Sequence, residues 1–177
     1  VGLASLTYNL WDGDIQHIVT DEGEETRQNL LFNAGISAID SVSDLVIVGA
    51  SFEGSLHLVN LSEFNEAATA AHDSPILSAA YSRHSGQLVT SSSEGVIKLW
   101  SVEQADLIPV TECFEFYQQR RAVTCAKWRP NENQFLTVGE DAMVLLWDHR
   151  STEAAAKSKQ KNCSFSAAWD KQNTHCF

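Results

Sequence analysis

The sequence predicts an all-β protein assembled from repeated four-stranded units. Three observations carry this: a glycine-centred turn that recurs at near-constant spacing, a column of small residues with the same offsets, and short apolar alternations separated by turn signals. Gly13, Gly54 and Gly95 stand 41 residues apart, and 47 residues further on Ala142 takes the same place. An acid precedes each of them: Asp12, Glu53, Glu94 and Asp141. Five residues after each, an apolar alternation closes on Ile18, Val59, Trp100 and Trp147.

The second column lies in "GISAID", "ILSAAYS", "VTCAKWR" and "SFSAAWD", which align Ala38, Ala79, Ala126 and Ala167 behind Ser37, Ser78, Cys125 and Ser166. Tyr81, Trp128 and Trp169 follow two residues after their alanines, and Asp40 breaks that aromatic column. A small residue in the first strand of each unit suits a radial assembly whose backbones converge at the centre.

Taken in order, a partial unit covers residues 1–35, complete units cover roughly 36–75, 76–122 and 123–162, and a partial unit covers 163–177. In the second complete unit the strands fall at about 76–82, 87–93, 95–102 and 106–114, with His-Ser-Gly-Gln and Glu-Gly supplying turns whose glycines can take positive φ. Helical periodicity is absent except in "STEAAAKSKQK", which the repeat assigns to an outer edge or loop.

Composition narrows the function. A chain of 177 residues, 44% apolar and 20% charged, suits one soluble domain with a sizeable core. No apolar run reaches the length of a membrane span and no signal pattern opens the chain, although it begins on Val1, so a leader or first segment can be missing. Cys113, Cys125, Cys163 and Cys176 form no CxxC pair and have no His-rich partner segment, which argues against zinc and for reduced thiols in the cytoplasm or nucleus. Cys125 sits in an apolar strand pattern and reads as core. The net charge of −11 argues against direct nucleic-acid binding and is compatible with basic protein tails as ligands. No nucleophile elbow, phosphate-binding glycine loop or His-x-x-x-His pair is present, so neither an enzyme nor a cofactor is expected.

These units of about forty residues resemble the WD-repeat β-propeller family, in which four strands make a blade and Trp-Asp closes the third. Only Trp147–Asp148 keeps that pair intact; the others read Trp100–Ser101, Val59–Asn60 and Ile18–Val19, and the family's Gly-His survives as Ala71–His72. Propellers most often close with seven blades, so the chain reads as a fragment or ordered part of a longer propeller, a four-bladed ring being the alternative. The resemblance implies a structural hydrogen-bond network of His72, Ser91, Glu94 and Trp100, with Asp141, Trp147 and Asp148 in the next blade, and makes a Ser-His-acid hydrolase a poor reading. "WDHR" fits the motif of cullin-4 ubiquitin-ligase substrate receptors, in which Arg150 would face the ligase adaptor; elsewhere the arginine pairs locally.

Trp11–Asp12 is not equivalent to Trp147–Asp148. It falls in a lengthened turn ("SLTYNLWDG" against "ASFEG"), where Asp12–Gly13 supplies the hairpin and nothing asks for an indole. Trp11 either folds back as a lid on its own blade or projects as an anchor for another protein, the usual role of a hot-spot Trp. Phe52 in the same slot of the adjacent unit favours the anchor over the lid, and a sugar or nucleotide stacking site lacks an accompanying polar constellation. The run "DEGEE", with Glu22, Glu24 and Glu25, is either a solvated loop or a landing site for Arg-rich tails.

"GLASL" followed by the lengthened turn, and the later "RAVTCAKWRPNENQFLTVGEDAMVLLWDHR" and "SFSAAWDKQN", are similar to the WD-repeat subunits of methylosomes, the non-catalytic partners of type II arginine methyltransferases. That resemblance implies a scaffold in a hetero-oligomer. It would bind a protein arginine methyltransferase through the Trp11 loop and help present basic substrates such as histone or Sm-type tails.

Overall fold

The computed structural model describes residues 3–8, 14–21, 24–31, 35–42, 46–60, 65–103, 106–109, 119, 121–151 and 153–170. Among these residues there are strands and no helix. β1 (Leu3–Tyr8), β2 (Asp14–Asp21) and β3 (Glu24–Leu31) form a three-stranded antiparallel sheet in that order. Three four-stranded meanders follow. The first holds β4 (Ile36–Ser41), β5 (Val46–Ser51), β6 (Ser55–Asn60) and β7 (Asn65–Ala70); the second holds β8 (Ile76–Ser82), β9 (Gln87–Ser92), β10 (Ile97–Glu103) and β11 (Asp106–Pro109). The third holds β12 (Val123–Trp128), β13 (Gln134–Gly139), β14 (Met143–Asp148) and β15 (Ala154–Lys159). Within "STEAAAKSKQK", Ala154–Lys159 thus form an outer strand, the helix-forming alanines overridden by pairing with β14.

Apolar side chains pack between successive sheets, as alternation along each strand requires. Leu88 of β9 and Trp100 of β10 pack against Ala50, Leu56 and Leu58 of the first meander. Their neighbours Val89 and Leu99 point the other way, into a cluster with Ala126, Phe135, Leu145 and Trp147. A third cluster joins Leu136, Val138 and Cys125 to Ala167, so the segment after residue 163 lies against β12 and β13 as the start of another inner strand. Trp147 and Phe135 are fully buried and stack at 6.2 Å between ring centres; truncating either should cost about 3–5 kcal/mol.

The inner strands β4, β8 and β12 carry the small-residue column. Ala79 and Ala126 are buried, and Ser78 Oγ accepts from Ala126 N at 3.1 Å in the next sheet. The aromatic column faces the preceding sheet. Trp128 Nε1 donates to Ala80 O at 2.9 Å, and Trp169 Nε1 to Lys127 O at 3.4 Å. Asp40, which breaks that column in the sequence, joins the sheets differently: its Oδ2 accepts from Tyr81 N at 2.7 Å.

The recurrent turn uses left-handed backbone in all three meanders: φ is +85° at Gly54, +85° at Gly95 and +59° at Ala142. The amide one residue later is capped in each, by two different means. Ser51 Oγ caps Ser55 N at 3.1 Å and Ser92 Oγ caps Val96 N at 3.3 Å. The third meander has Gly139 in place of the serine, and Asp141 Oδ1 caps Met143 N at 3.0 Å. The acid slot seen in the sequence is therefore structural at Asp141, whereas Glu53 and Glu94 are exposed and released from that work.

Candidate protein-interaction surface

Antiparallel meanders put alternate connections at opposite ends of the sheets. One end carries the turns 51–54, 92–95 and 139–142 together with the crossings 71–75, 121–122 and 160–164. Backbone bonds clamp them to each other: Ala71 N and His72 N donate to Gly54 O, Ser93 N to Pro75 O, Glu140 N to Ala122 O, and Ser164 N to Gly139 O. On this rigid rim Phe52 is 45% exposed, its amide held by Gly35 O at 3.1 Å. Glu53, Asp73, Glu94 and Glu140 are exposed on the same end. An apolar ring on a hydrogen-bonded turn, flanked by carboxylates, leaves mainly side-chain rotamers to order when a partner covers it, and it fits a partner that is itself cationic.

The opposite end carries the turns 83–86, 129–133 and 148–151, richer in cations. Arg150 forms a two-pronged pair with Asp148, Nε to Oδ1 and Nη2 to Oδ2 both at 3.0 Å. That arginine holds the Asp148 carboxyl down to about 2, and the same contact raises the guanidinium. Arg129 is tied to Glu132 at 2.9 Å and lies 5.4 Å from the Trp169 ring centre. His149 Nδ1 meets Gln87 Oε1 of the preceding sheet at 2.6 Å, and its ring stands edge-on to Trp128. Burial lowers the His149 pKa, favouring the neutral imidazole at this seam.

The structural network differs from its expected membership. The buried hydroxyl is Thr90, not Ser91: Thr90 Oγ1 lies 2.8 Å from His72 Nε2 and accepts from Trp100 Nε1 at 2.9 Å. Ser91 points to the other face and donates to Val123 O at 3.0 Å. Glu94 is exposed and holds no hydrogen bond among the described residues. The third meander repeats the pattern with Gln119 for the histidine. Thr137 Oγ1 donates to Gln119 Oε1 at 2.7 Å and accepts from Trp147 Nε1 at 2.8 Å, while Gln119 Nε2 reaches Asp141 Oδ1 at 3.3 Å. The sequence holds the signal: the 47-residue offset aligns Thr90 with Thr137 and His72 with Gln119, but Ser91 with the apolar Val138. Asp148 lies outside this network, in the pair with Arg150.

Trp11, Asp12 and Glu22 lie outside the described residues. Glu24 and Glu25 open β3, so with Asp21 they stand at the end of their sheet opposite to Tyr8 and Asp14. Phe52 and Glu53 thus share one end of the first meander, and Arg150 belongs to the other end of the third. Among the described residues no three His, Cys, Asp or Glu side chains are grouped to hold a metal ion.

Comparison with known proteins agrees with this architecture. The model of the WD domain, G-beta repeat family matches residues 65–101 and 111–148. Polyadenylation factor subunit 2 of Cryptococcus neoformans var. neoformans serotype D is 29% identical over 119 residues, 67% of this chain and 15% of that protein. Methylosome protein WDR77 of Xenopus laevis is 24% identical over 164 residues, covering 87% of this chain and 48% of that protein. Among solved structures, that of U3-55K superposes with a TM-score of 0.68 at 15% identity, over 77% of this chain and 43% of that one. The chain thus spans less than half the length of each of these proteins. Residues 65–101 and 111–148 match the WD40 repeat, and the sheets have the arrangement of propeller blades.

Proposed function

We propose that this WD40-repeat chain is part of a non-catalytic scaffold of the methylosome type, which binds a protein arginine methyltransferase and helps present basic, Arg-rich proteins to it. The observation that carries the reading is the extent of the match to methylosome protein WDR77, along 87% of this chain and 48% of that protein, where the polyadenylation factor matches over 15% of its length. The exposed Phe52 on a rigid carboxylate-bearing rim supports it as half of a docking pair with Trp11. In this reading the chain belongs to a longer propeller within a hetero-oligomer, and it works in the cytoplasm, the nucleus or both.

Affinity capture of the full-length protein with mass spectrometry tests the reading, with a methyltransferase as the expected catch. Phe52→Ala should change stability by less than about 0.5 kcal/mol. It should weaken that partner by about 2 kcal/mol, roughly thirty-fold, and Trp11→Ala should do at least as much. A melting-temperature loss with unchanged affinity would sink the anchor. A cullin-4 receptor is the second reading, and the local pairing of Arg150 with Asp148 weighs against it. Arg150→Ala should leave methyltransferase capture intact; loss of a captured ligase adaptor would reverse the ranking of the two readings.

A further inference from the structure

We infer that the outer edge of the third blade, β15, is a docking edge for an extended acidic peptide that adds to the sheet as a fifth strand. Among the described residues β15 pairs with β14 on one side and with no strand on the other, so that outer side presents backbone donors and acceptors to an incoming strand. It runs Ala154–Lys159, and every residue from Ala155 to Lys161 is exposed.

Charge selects the occupant. Lys157, Lys159 and Lys161 are three of the chain's 12 lysines and arginines, gathered within five residues of a chain carrying 23 acidic ones. From Ala154 to Asn162 there is no carboxylate. Lys157 and Lys159 stand opposite Leu145 and Met143 of β14, so both belong to one face of the sheet, about 6.5–7 Å apart along the strand. An added strand with carboxylates at alternate positions would set them directly across from those lysines. The alanines at 154–156 leave space beside the backbone. The other outer strands lack this pattern: β3 reads "EETRQNLL" with one cation beside two acids, β7 reads "NEAATA" without a cation, and β11 is four residues long and ends on Pro109. Lysines on an edge also repel a second copy of the same edge, which makes self-pairing the poorer fit. A nucleic acid needs a broader cationic surface than one strand supplies.

The test uses the full chain and a fluorescein-labelled, end-capped peptide of about seven residues, with glutamate alternating with threonine or valine, read by anisotropy. Two further peptides carry N-methyl groups on one or the other alternate set of amides. The expected result is saturable binding that one methylated peptide retains and the other loses. Lys157→Gln/Lys159→Gln should weaken it at least about tenfold, and raising salt from about 50 to 300 mM should weaken it several-fold. Equal binding of both methylated peptides would overturn strand addition whatever the variant does, because that comparison involves only the unmodified chain. Full affinity in the double-glutamine variant, or displacement of the peptide by an oligouridine of equal charge, would overturn lysine-directed peptide recognition.

Discussion

Thr90 offers a sharp test of how a blade is held. In the second blade its hydroxyl lies 2.8 Å from His72 Nε2 and 2.9 Å from Trp100 Nε1, and all three side chains are buried. Thr90→Val keeps the shape and removes that common partner, leaving the indole N–H without its acceptor and the imidazole nitrogen without its hydroxyl. Each buried polar group deprived of a partner costs about 1–3 kcal/mol, so the variant should lose about 3 kcal/mol. For a chain of this size that is a fall in Tm of about 6–12 °C. Ser91→Ala, one residue along, removes a single 3.0 Å bond to the Val123 carbonyl and should cost about 1 kcal/mol. Thr137→Val should match Thr90→Val, since its hydroxyl joins Trp147 to Gln119 in the same way. Urea and thermal unfolding, followed by tryptophan fluorescence and far-UV circular dichroism, measure all three. If Ser91→Ala proved as damaging as Thr90→Val, the assignment of the hydroxyl would be wrong.

Gly95→Ala should destabilise by at least about 2 kcal/mol, because a Cβ would sit 2.4 Å from the Gln119 carbonyl oxygen at φ +85°. Ala142→Gly should stay within about 1 kcal/mol of the parent, relief of a left-handed alanine offsetting the added freedom of the unfolded chain; urea midpoints decide both. His149 contributes a pH term. Its folded pKa lies below 6.5, so the unfolded chain binds the extra proton first, and stability should decline as pH falls from 6.5 towards the folded value and level off beneath it. His149→Gln should flatten that part of the denaturation-midpoint profile, and an unchanged slope in the variant would assign it to another group. Asp148, held at about 2 chiefly by Arg150, should contribute stability that is present above the unfolded 3.8 and lost as pH falls from 3.8 towards 2, and Arg150→Ala should shrink that loss and flatten the denaturation-midpoint profile in this range.

Strand and turn positions were legible in the sequence because they rest on local chemistry. A positive-φ turn needs Gly or a tolerant small residue, alternation needs neighbours two apart, and repetition at 41 and 47 residues multiplies a weak signal. The expected strands of the second blade agree with β8, β9, β10 and the start of β11, and Trp147 closes β14 inside the core as its column required. Side-chain partners across the seams were legible only where two repeats could be compared, as the 47-residue offset allows for Thr90 and Thr137, because elsewhere they depend on parity within strands that bulge. Each inner strand carries a register irregularity near its start, between Ile36 and Ala38, Ile76 and Ser78, and Val123 and Cys125. One residue of slip exchanges the two faces of a strand. Tertiary packing decided that Ser91 reaches the Val123 carbonyl of the next blade, and that Asp40 can serve where its column elsewhere holds an aromatic. It also decided which acids do structural work: Asp141 caps a turn amide, whereas Ser51 and Ser92 take that task in the earlier blades and leave Glu53 and Glu94 to solvent. The sequence alone determined where strands and turns recur; only the packed blades determined which side chains meet, because those partners lie in different repeats.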